Sequence, residues 1–245
     1  MSQNNLNQQW QNLADPWIKE MREGSNANRK GLLDPPMLEA CGNINGKKIL
    51  DCGCGEGRFS RMLAKRGAAN VLGIDLCEKM IEAARELKSE AEEYRIADVQ
   101  DLSFIQGEEF DLAISYLNQC DLPDFIANTN EVFRILKPGG KFIIANLHPM
   151  RSAVGCWLKD DNGKKKHVVL DDYFAEGQRH WKMMGVELTN FHRTLATYTK
   201  AYSDAGFSIE RIIEPTATAE MIDIYPELID ELRVPNFIIY ILSKN

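Results

Sequence analysis

The amino-acid sequence predicts an α/β fold built on a mostly parallel sheet, and three observations carry that expectation. From residue 47 onward, short apolar runs alternate with amphipathic stretches, the pattern of strand–helix–strand units. Within that region Ile49-Leu50-Asp51-Cys52 runs straight into a glycine-rich turn and a helix start. The chain also has 245 residues, which suits one α/β domain with a modest insertion.

The elements follow in chain order. Residues 2–9 are rich in Asn and Gln and read as a frayed end. Spacing from Trp10 to about Cys41 is helical, interrupted at Gly24-Ser25-Asn26 and Pro35-Pro36. Strands are expected at 48–52, 70–74, 93–96, 110–115 and 141–147, with helices at 58–66, 77–89 and 123–136 between them. Lys137-Pro138-Gly139-Gly140 closes the last helix, with a proline where helix cannot continue. Residues 149–192 break the rhythm and read as an inserted loop or partial lid with one or two short strands. Order returns with a helix at 195–205, a strand after Gly206, a helix at 218–232 and a final strand at 237–242.

Composition narrows the function. A net charge of −7 and a pI near 5.3 disfavour nucleic acid, whose binding rests on phosphate electrostatics. No run of apolar residues is long enough for a membrane span, and the first residues lack a secretory pattern, so a cytoplasmic location is expected. The six cysteines form no C-x-x-C pair and read as free thiols. The four histidines show no ligand spacing, and no metal is expected.

The strongest motif is Asp51-Cys52-Gly53-Cys54-Gly55-Glu56-Gly57. Its glycines allow a left-handed turn and let a ligand approach bare backbone at a helix N-terminus. The G-x-G-x-G spacing differs from the dinucleotide G-x-G-x-x-G, and suits a ligand with an amino-acid moiety rather than a pyrophosphate. Asp51 is placed to meet an ammonium group, directly or through water. Asp75, after the second strand, suits either the two hydroxyls of a ribose or the cap of the next helix, and both roles can coexist. Asp98 with Val99, after the third strand, suits the edge of an adenine or is a solvated loop acid.

The runs ILDCGCGEG, GID, ADVQDL, FDLAIS and LKPGG together resemble class I, Rossmann-like S-adenosylmethionine-dependent methyltransferases of the small-molecule type. The resemblance covers about residues 47–147. It implies a three-layer sandwich around a seven-stranded sheet in the order 3-2-1-4-5-7-6, with the last strand antiparallel. It implies one domain: an N-terminal helical cap (1–46), a cofactor core (47–148), an insertion over the acceptor site (149–192) and the end of the sheet (193–245). The implied cofactor is S-adenosyl-L-methionine, leaving as S-adenosyl-L-homocysteine. By position, Gly53, Cys54 and Gly55 would lie along its methionine part, Asp75 and Leu76 at the ribose, and Asp98 and Val99 at the adenine. Ser115, Tyr116 and Leu117 would flank the methyl end, and Arg29 is a candidate for the carboxylate.

The acceptor belongs outside the carboxyl ends of the strands. Trp10, Trp17, Trp157, Tyr173, Phe174 and Trp181 fall in the segments expected there, as acceptor contacts or as plain packing; Trp10, Trp17, Tyr116 and Trp181 are the substrate candidates. His148, after the fifth strand, and His192, before a helix, are candidate substrate contacts and proton acceptors, or else structural histidines. The methyl acceptor is expected to be a small molecule taken at oxygen or nitrogen, with no nucleic acid or membrane partner, by a monomer or homodimer. Ser115-Tyr116-Leu117-Asn118 departs from the N/D-P-P-Y/F motif of base methylation. A dinucleotide-dependent oxidoreductase and a non-catalytic cofactor-binding protein are the alternatives.

Overall fold

A computed structural model describes residues 3–245. The N-terminal part comprises α1 (Gln3–Glu23), a π-helical turn (Asn28–Leu33) and α2 (Asp34–Cys41). There follow β1 (Lys48–Cys52), α3 (Arg58–Lys65), β2 (Asn70–Asp75), α4 (Glu78–Glu86), β3 (Glu92–Ile96) and β4 (Phe110–Tyr116). A single 3-10 turn (Gln119–Asp121) leads to α5 (Phe125–Ile135), β5 (Leu136–Leu147) and α6 (Pro149–Ser152). Two hairpins come next: β6 (Val154–Lys159) with β7 (Lys165–Asp171), and β8 (Gly177–Met183) with β9 (Val186–His192). The chain ends with α7 (Leu195–Asp204), β10 (Ser208–Ile213), α8 (Ala219–Ile224), a 3-10 segment (Pro226–Leu232) and β11 (Phe237–Ser243).

Seven strands form one sheet in the order β3-β2-β1-β4-β5-β11-β10. Pairs β1–β2, β2–β3, β1–β4 and β4–β5 are parallel, and β11 runs antiparallel to both its neighbours. This is the expected Rossmann-like order. Both faces are covered, which is why the central strands read as continuous apolar runs. Leu50, Phe142 and Ile144 pack on one face with Phe125 and Val132 of α5 and Tyr198 and Tyr202 of α7. Ile49, Ile114 and Ile143 pack on the other with Met37 of α2 and Phe59 and Leu63 of α3. Because β1 to β5 are parallel, their carboxyl ends share one edge, where the site lies.

Several expectations need correction. Residues 3–9 belong to α1 rather than to a frayed end, while Met1 and Ser2 lie outside the described residues. Leu6 is buried, and Gln9 clamps β9: its Oε1 accepts from the Thr189 amide at 2.9 Å and its Nε2 donates to Thr189 Oγ1 at 3.2 Å. Pro35 and Pro36 open α2 instead of breaking a helix, since the missing N–H falls where no intrahelical bond is needed. Helix α5 stops at Ile135, and Leu136 is already extended. The Lys137–Gly140 segment is therefore the start of β5, held by the Gly139 amide donating to the Lys244 carbonyl at 2.6 Å. The inserted segment carries four strands, not one or two. The 218–232 helix is split at Pro226, which pushes Tyr225 out of the helical region (φ −128°, ψ 78°). All six cysteines are free. Among the described residues, no helix is long and apolar enough to cross a membrane, and no group of side chains is arranged to hold a metal ion.

Candidate active site

The turn after β1 leaves its strand in left-handed geometry, with φ of +69° at Gly53 and +55° at Gly55. The two glycines serve different ends. A Cβ on Gly53 would fall 2.3 Å from the Asn118 side chain, so this glycine admits the loop after β4. A Cβ on Gly55 would meet nothing within 4 Å, so this peptide faces open space. Asp75, at the end of β2, reaches the same turn. Its Oδ2 accepts from the Gly55 amide at 2.9 Å and its Oδ1 from the Cys77 amide at 2.9 Å. Burial raises its pKa, and these backbone donors work against that rise. Past β3, Asp98 Oδ1 accepts from the Gln100 amide at 2.9 Å.

These strand ends enclose a cleft. Arg29, Gly53, Cys54, Gly55, Asp75, Leu76, Asp98, Val99, Tyr116 and Leu117 all line it. Asp51 and Ser115, the two remaining cofactor candidates, do not; they are buried in the strands behind the turn. Asp51 Oδ2 accepts from Ser60 Oγ at 2.6 Å, while Asp51 Oδ1 and Ser115 Oγ find no partner among the described residues. Burial pushes the Asp51 carboxyl up to about 6, against the Ser60 bond.

Arg29 enters the cleft from the π-helical turn. Its guanidinium lies 4.9 Å from the Tyr116 ring centroid and 5.3 Å from that of Trp17. No carboxylate pairs with it among the described residues. The nearby Asp34 is committed elsewhere: Arg58 grips it with two bonds of 2.7 and 2.8 Å, and the Tyr116 hydroxyl donates to it at 2.8 Å. Burial accordingly pulls the Arg29 pKa below its ordinary value. The cleft therefore presents a buried guanidinium that no carboxylate among the described residues pairs with, alongside the carboxylates of Asp75 and Asp98.

A second cavity of roughly 1020 Å³ adjoins the cleft. All four tryptophans of the chain line it, Trp10, Trp17, Trp157 and Trp181, together with Met150, Met183 and Met184. Trp10, Trp17, Arg29, Leu117 and Asp121 line both compartments and mark their junction.

The histidines are not brought to either compartment. His192 is fully buried; one ring nitrogen lies 2.8 Å from Ser152 Oγ and the other 2.8 Å from the Tyr173 carbonyl. That carbonyl only accepts, so Nε2 carries the proton and Nδ1 accepts from Ser152. His148 Nδ1 accepts from the Met150 amide at 3.1 Å, capping α6, and its Nε2 lies 3.0 Å from Glu214. Burial lowers its pKa and Glu214 opposes this. Tyr173 and Phe174 also lie outside both linings.

Sequence reasoning passed over Asn118 and Asp121. Asn118 lines the cleft, and its buried Oδ1 has no partner among the described residues. A lone acid in Asn118-Gln119-Cys120-Asp121 carries no spacing signal; only the glycine at position 53 hinted that this loop comes close.

Comparison with known proteins agrees with this architecture. A family profile described as a methyltransferase domain matches residues 50–144. A solved S-adenosylmethionine-dependent methyltransferase from Mesorhizobium loti superposes with a TM-score of 0.80 at 32% identity, over 89% of this chain and 98% of that one. The chain is 29% identical over 140 residues to a ubiquinone biosynthesis O-methyltransferase of Neisseria meningitidis, covering 56% of this chain and 59% of that protein. It is 26% identical over 182 residues to a demethylmenaquinone methyltransferase of Listeria welshimeri, covering 71% and 75%. Identity of this degree, sustained across nearly all of a solved relative, makes the chain a member of the class I S-adenosylmethionine-dependent methyltransferase family, with S-adenosylmethionine as its cofactor.

Proposed function

We propose that this methyltransferase acts on an oxygen or nitrogen of a flat, largely apolar small molecule. One observation carries the reading: a large cavity walled by every tryptophan in the chain opens directly off the cofactor cleft. Aromatic walls suit stacking of a planar ring, and methionines adapt to irregular apolar outlines. Charges of both signs border the cavity, Glu20, Glu227, Asp230 and Glu231 beside Arg151, Lys159 and Lys165, so it offers no cationic excess for a polyphosphate backbone. Two of the relatives are named for ubiquinone biosynthesis and for demethylmenaquinone, and a ring of the quinone kind has the shape such walls accept.

The residues present fit the cofactor. The peptide at Gly55 faces open space, Arg29 lacks a carboxylate, and buried oxygens of Asn118 and Glu56 on the cleft wall lack donors among the described residues. Arg29 would take the carboxylate of the methionine part, and the backbone of Gly53, Cys54 and Gly55 would lie along it. Asp51, behind the turn, would reach the amino group through water. Asp75 with Leu76 would hold the ribose, Asp98 with Val99 the adenine, and Tyr116 with Leu117 the methyl end. When bound, the cofactor supplies a methyl group already activated by its positive sulfur. The chain's own contribution is to align the acceptor and exclude water; Trp10 and Trp17, at the junction, do both. His148 and His192 support the acceptor side from behind, one as a helix cap and one as a buried link between α6 and the segment at Tyr173.

Calorimetry with S-adenosylmethionine and with NADH, and transfer of labelled methyl to a panel of phenols, quinols and heterocyclic amines, test the reading. Binding of the sulfonium cofactor alone and methylation of planar acceptors are expected. Methylation confined to RNA or protein, or no transfer to any acceptor, would overturn it.

A further inference from the structure

The junction between the two compartments contains two charged side chains, Arg29 and Asp121. Arginine stays protonated, so Asp121 is the group among those shared residues that can take a proton. Its mounting is unusually well braced. Gln119, which begins the same 3-10 turn, donates to Asn128 Oδ1 at 3.0 Å and Thr129 Oγ1 at 3.2 Å and accepts from the Tyr202 hydroxyl at 2.9 Å. The Cys120 amide donates to Asn146 Oδ1 at 3.0 Å. Arg193 donates to the carbonyls of Gln119, Leu122 and Pro123 at 3.3, 2.5 and 3.1 Å. Entry to the turn is through Leu117, left-handed at φ +56°, a conformation a non-glycine residue keeps only where its surroundings enforce it. The fold thus holds this turn in place from α5, β5, α7 and the segment before α7.

The carboxylate so held has little to bind. Among the described residues its side-chain hydrogen bond is to the weak thiol donor of Cys120, at 3.7 Å, and no cation pairs with it. Burial pushes its carboxyl up to about 7. The groups that face it are Arg29 and Arg193, which pull the value down, Cys120, whose thiol does the same, and Asp75, which adds to the rise; Tyr198 of α7 lies within its field. A rigidly positioned carboxylate with no ion-pair contact among the described residues, poised near neutrality, is suited to proton removal.

We infer that Asp121 is the catalytic base that takes the acceptor's proton, and that the acceptors are ring systems whose nucleophile carries an O–H or N–H. The inference rests on the small-molecule reading above. In the step, the acceptor's O–H or N–H bond breaks and its proton passes to the Asp121 carboxylate. The nucleophile's electron pair forms the bond to the methyl carbon, and the carbon–sulfur pair stays on sulfur, which becomes a neutral thioether. The proton then leaves to solvent through the open second cavity.

Asp121→Asn in the full chain tests this. Turnover is expected to fall about 100-fold or more, with affinity for S-adenosylhomocysteine within about twofold of wild type. The rising limb of the pH–rate profile is expected to disappear, and Asp121→Glu to recover part of the rate. A readout apart from activity is the 13C-carboxyl resonance of Asp121, assigned by its loss in Asp121→Asn. Its midpoint should lie near 7 in the free protein. It should fall by about one unit with S-adenosylmethionine and not with S-adenosylhomocysteine, because only the sulfonium is positive. Turnover of the Asn variant within about threefold of wild type, a parallel loss of product affinity, or equal midpoints with the two ligands would overturn the inference. Absence of transfer by the wild type would instead remove the small-molecule reading, while the resonance still reports on Asp121.

Discussion

The cofactor cleft and the adjoining cavity share a wall but are built differently. One side of the cleft is made by consecutive strand ends: the turn after β1, Asp75 after β2 and Asp98 after β3, with Trp10, Trp17 and Arg29 closing it from the N-terminal helices. The cavity draws on α1, the π-helical turn, the loop after β4, both hairpins and the segment before β11. Local chain geometry sets the strand-end side of the cleft, and long-range packing assembles the cavity. The contrast teaches where such an enzyme keeps its constant chemistry and where it adapts to a substrate.

Four substitutions test that contrast. Asp75→Ala removes an acceptor from both the turn and the ligand, and about a 1000-fold loss of S-adenosylmethionine affinity is expected, near 4 kcal/mol. Calorimetry checks it, with circular dichroism showing the sheet intact; unchanged affinity would break the ribose assignment.

Asp51 gives the next effect, through pH. Its folded pKa is raised from 3.8 to about 6, so between those values the folded chain keeps a proton that the unfolded chain has released. Stability contributed by this group is therefore present at low pH and lost as pH rises toward 6. Relative to Asp51→Asn, wild type should lose about 3 kcal/mol across that window. Denaturant unfolding of both proteins at pH 4 and pH 7 measures the difference, and parallel curves would contradict the burial argument.

On the acceptor side, His192→Ala leaves Ser152 Oγ and the Tyr173 carbonyl without their partner. A stability loss of about 2 kcal/mol is expected, with turnover of the folded variant within about twofold of wild type. A large drop in turnover with unchanged stability would return His192 to a chemical role. Trp181→Ala, which touches only the second cavity, should raise the acceptor KM about tenfold, some 1.4 kcal/mol, and leave product affinity unchanged. An effect on cofactor affinity instead would erase the boundary between the compartments.

The degree to which each half was legible follows from the same contrast. Strand boundaries β1 to β4 came out within a residue; for β1, β2 and β4 the reason is that a buried parallel strand is a largely apolar run, whereas β3 lies at the sheet edge and is partly exposed. The start of β5 did not, because Lys137-Pro138-Gly139-Gly140 has the composition of a helix stop and gave no sign that Lys244 would pair with it. Only one or two of the four strands at 154–192 were expected, because β7 and β8 are largely exposed and carry polar residues at both alternations. The histidines were singled out by residue type, yet their ring nitrogens are taken by Ser152, Tyr173, Met150 and Glu214, which lie far from them in sequence or carry no motif.

What the sequence by itself determined was the sheet, its parallel core and the cofactor-facing turn, since these depend on residue periodicity and on the backbone freedom of glycine at adjacent positions. Only the tertiary structure decided which acid stands at the junction and which aromatic residues wall the adjoining cavity. Those depend on burial and on partners 60 or more residues away, such as Arg193 on the carbonyls of Leu122 and Pro123, and no local pattern encodes a neighbour brought in by folding.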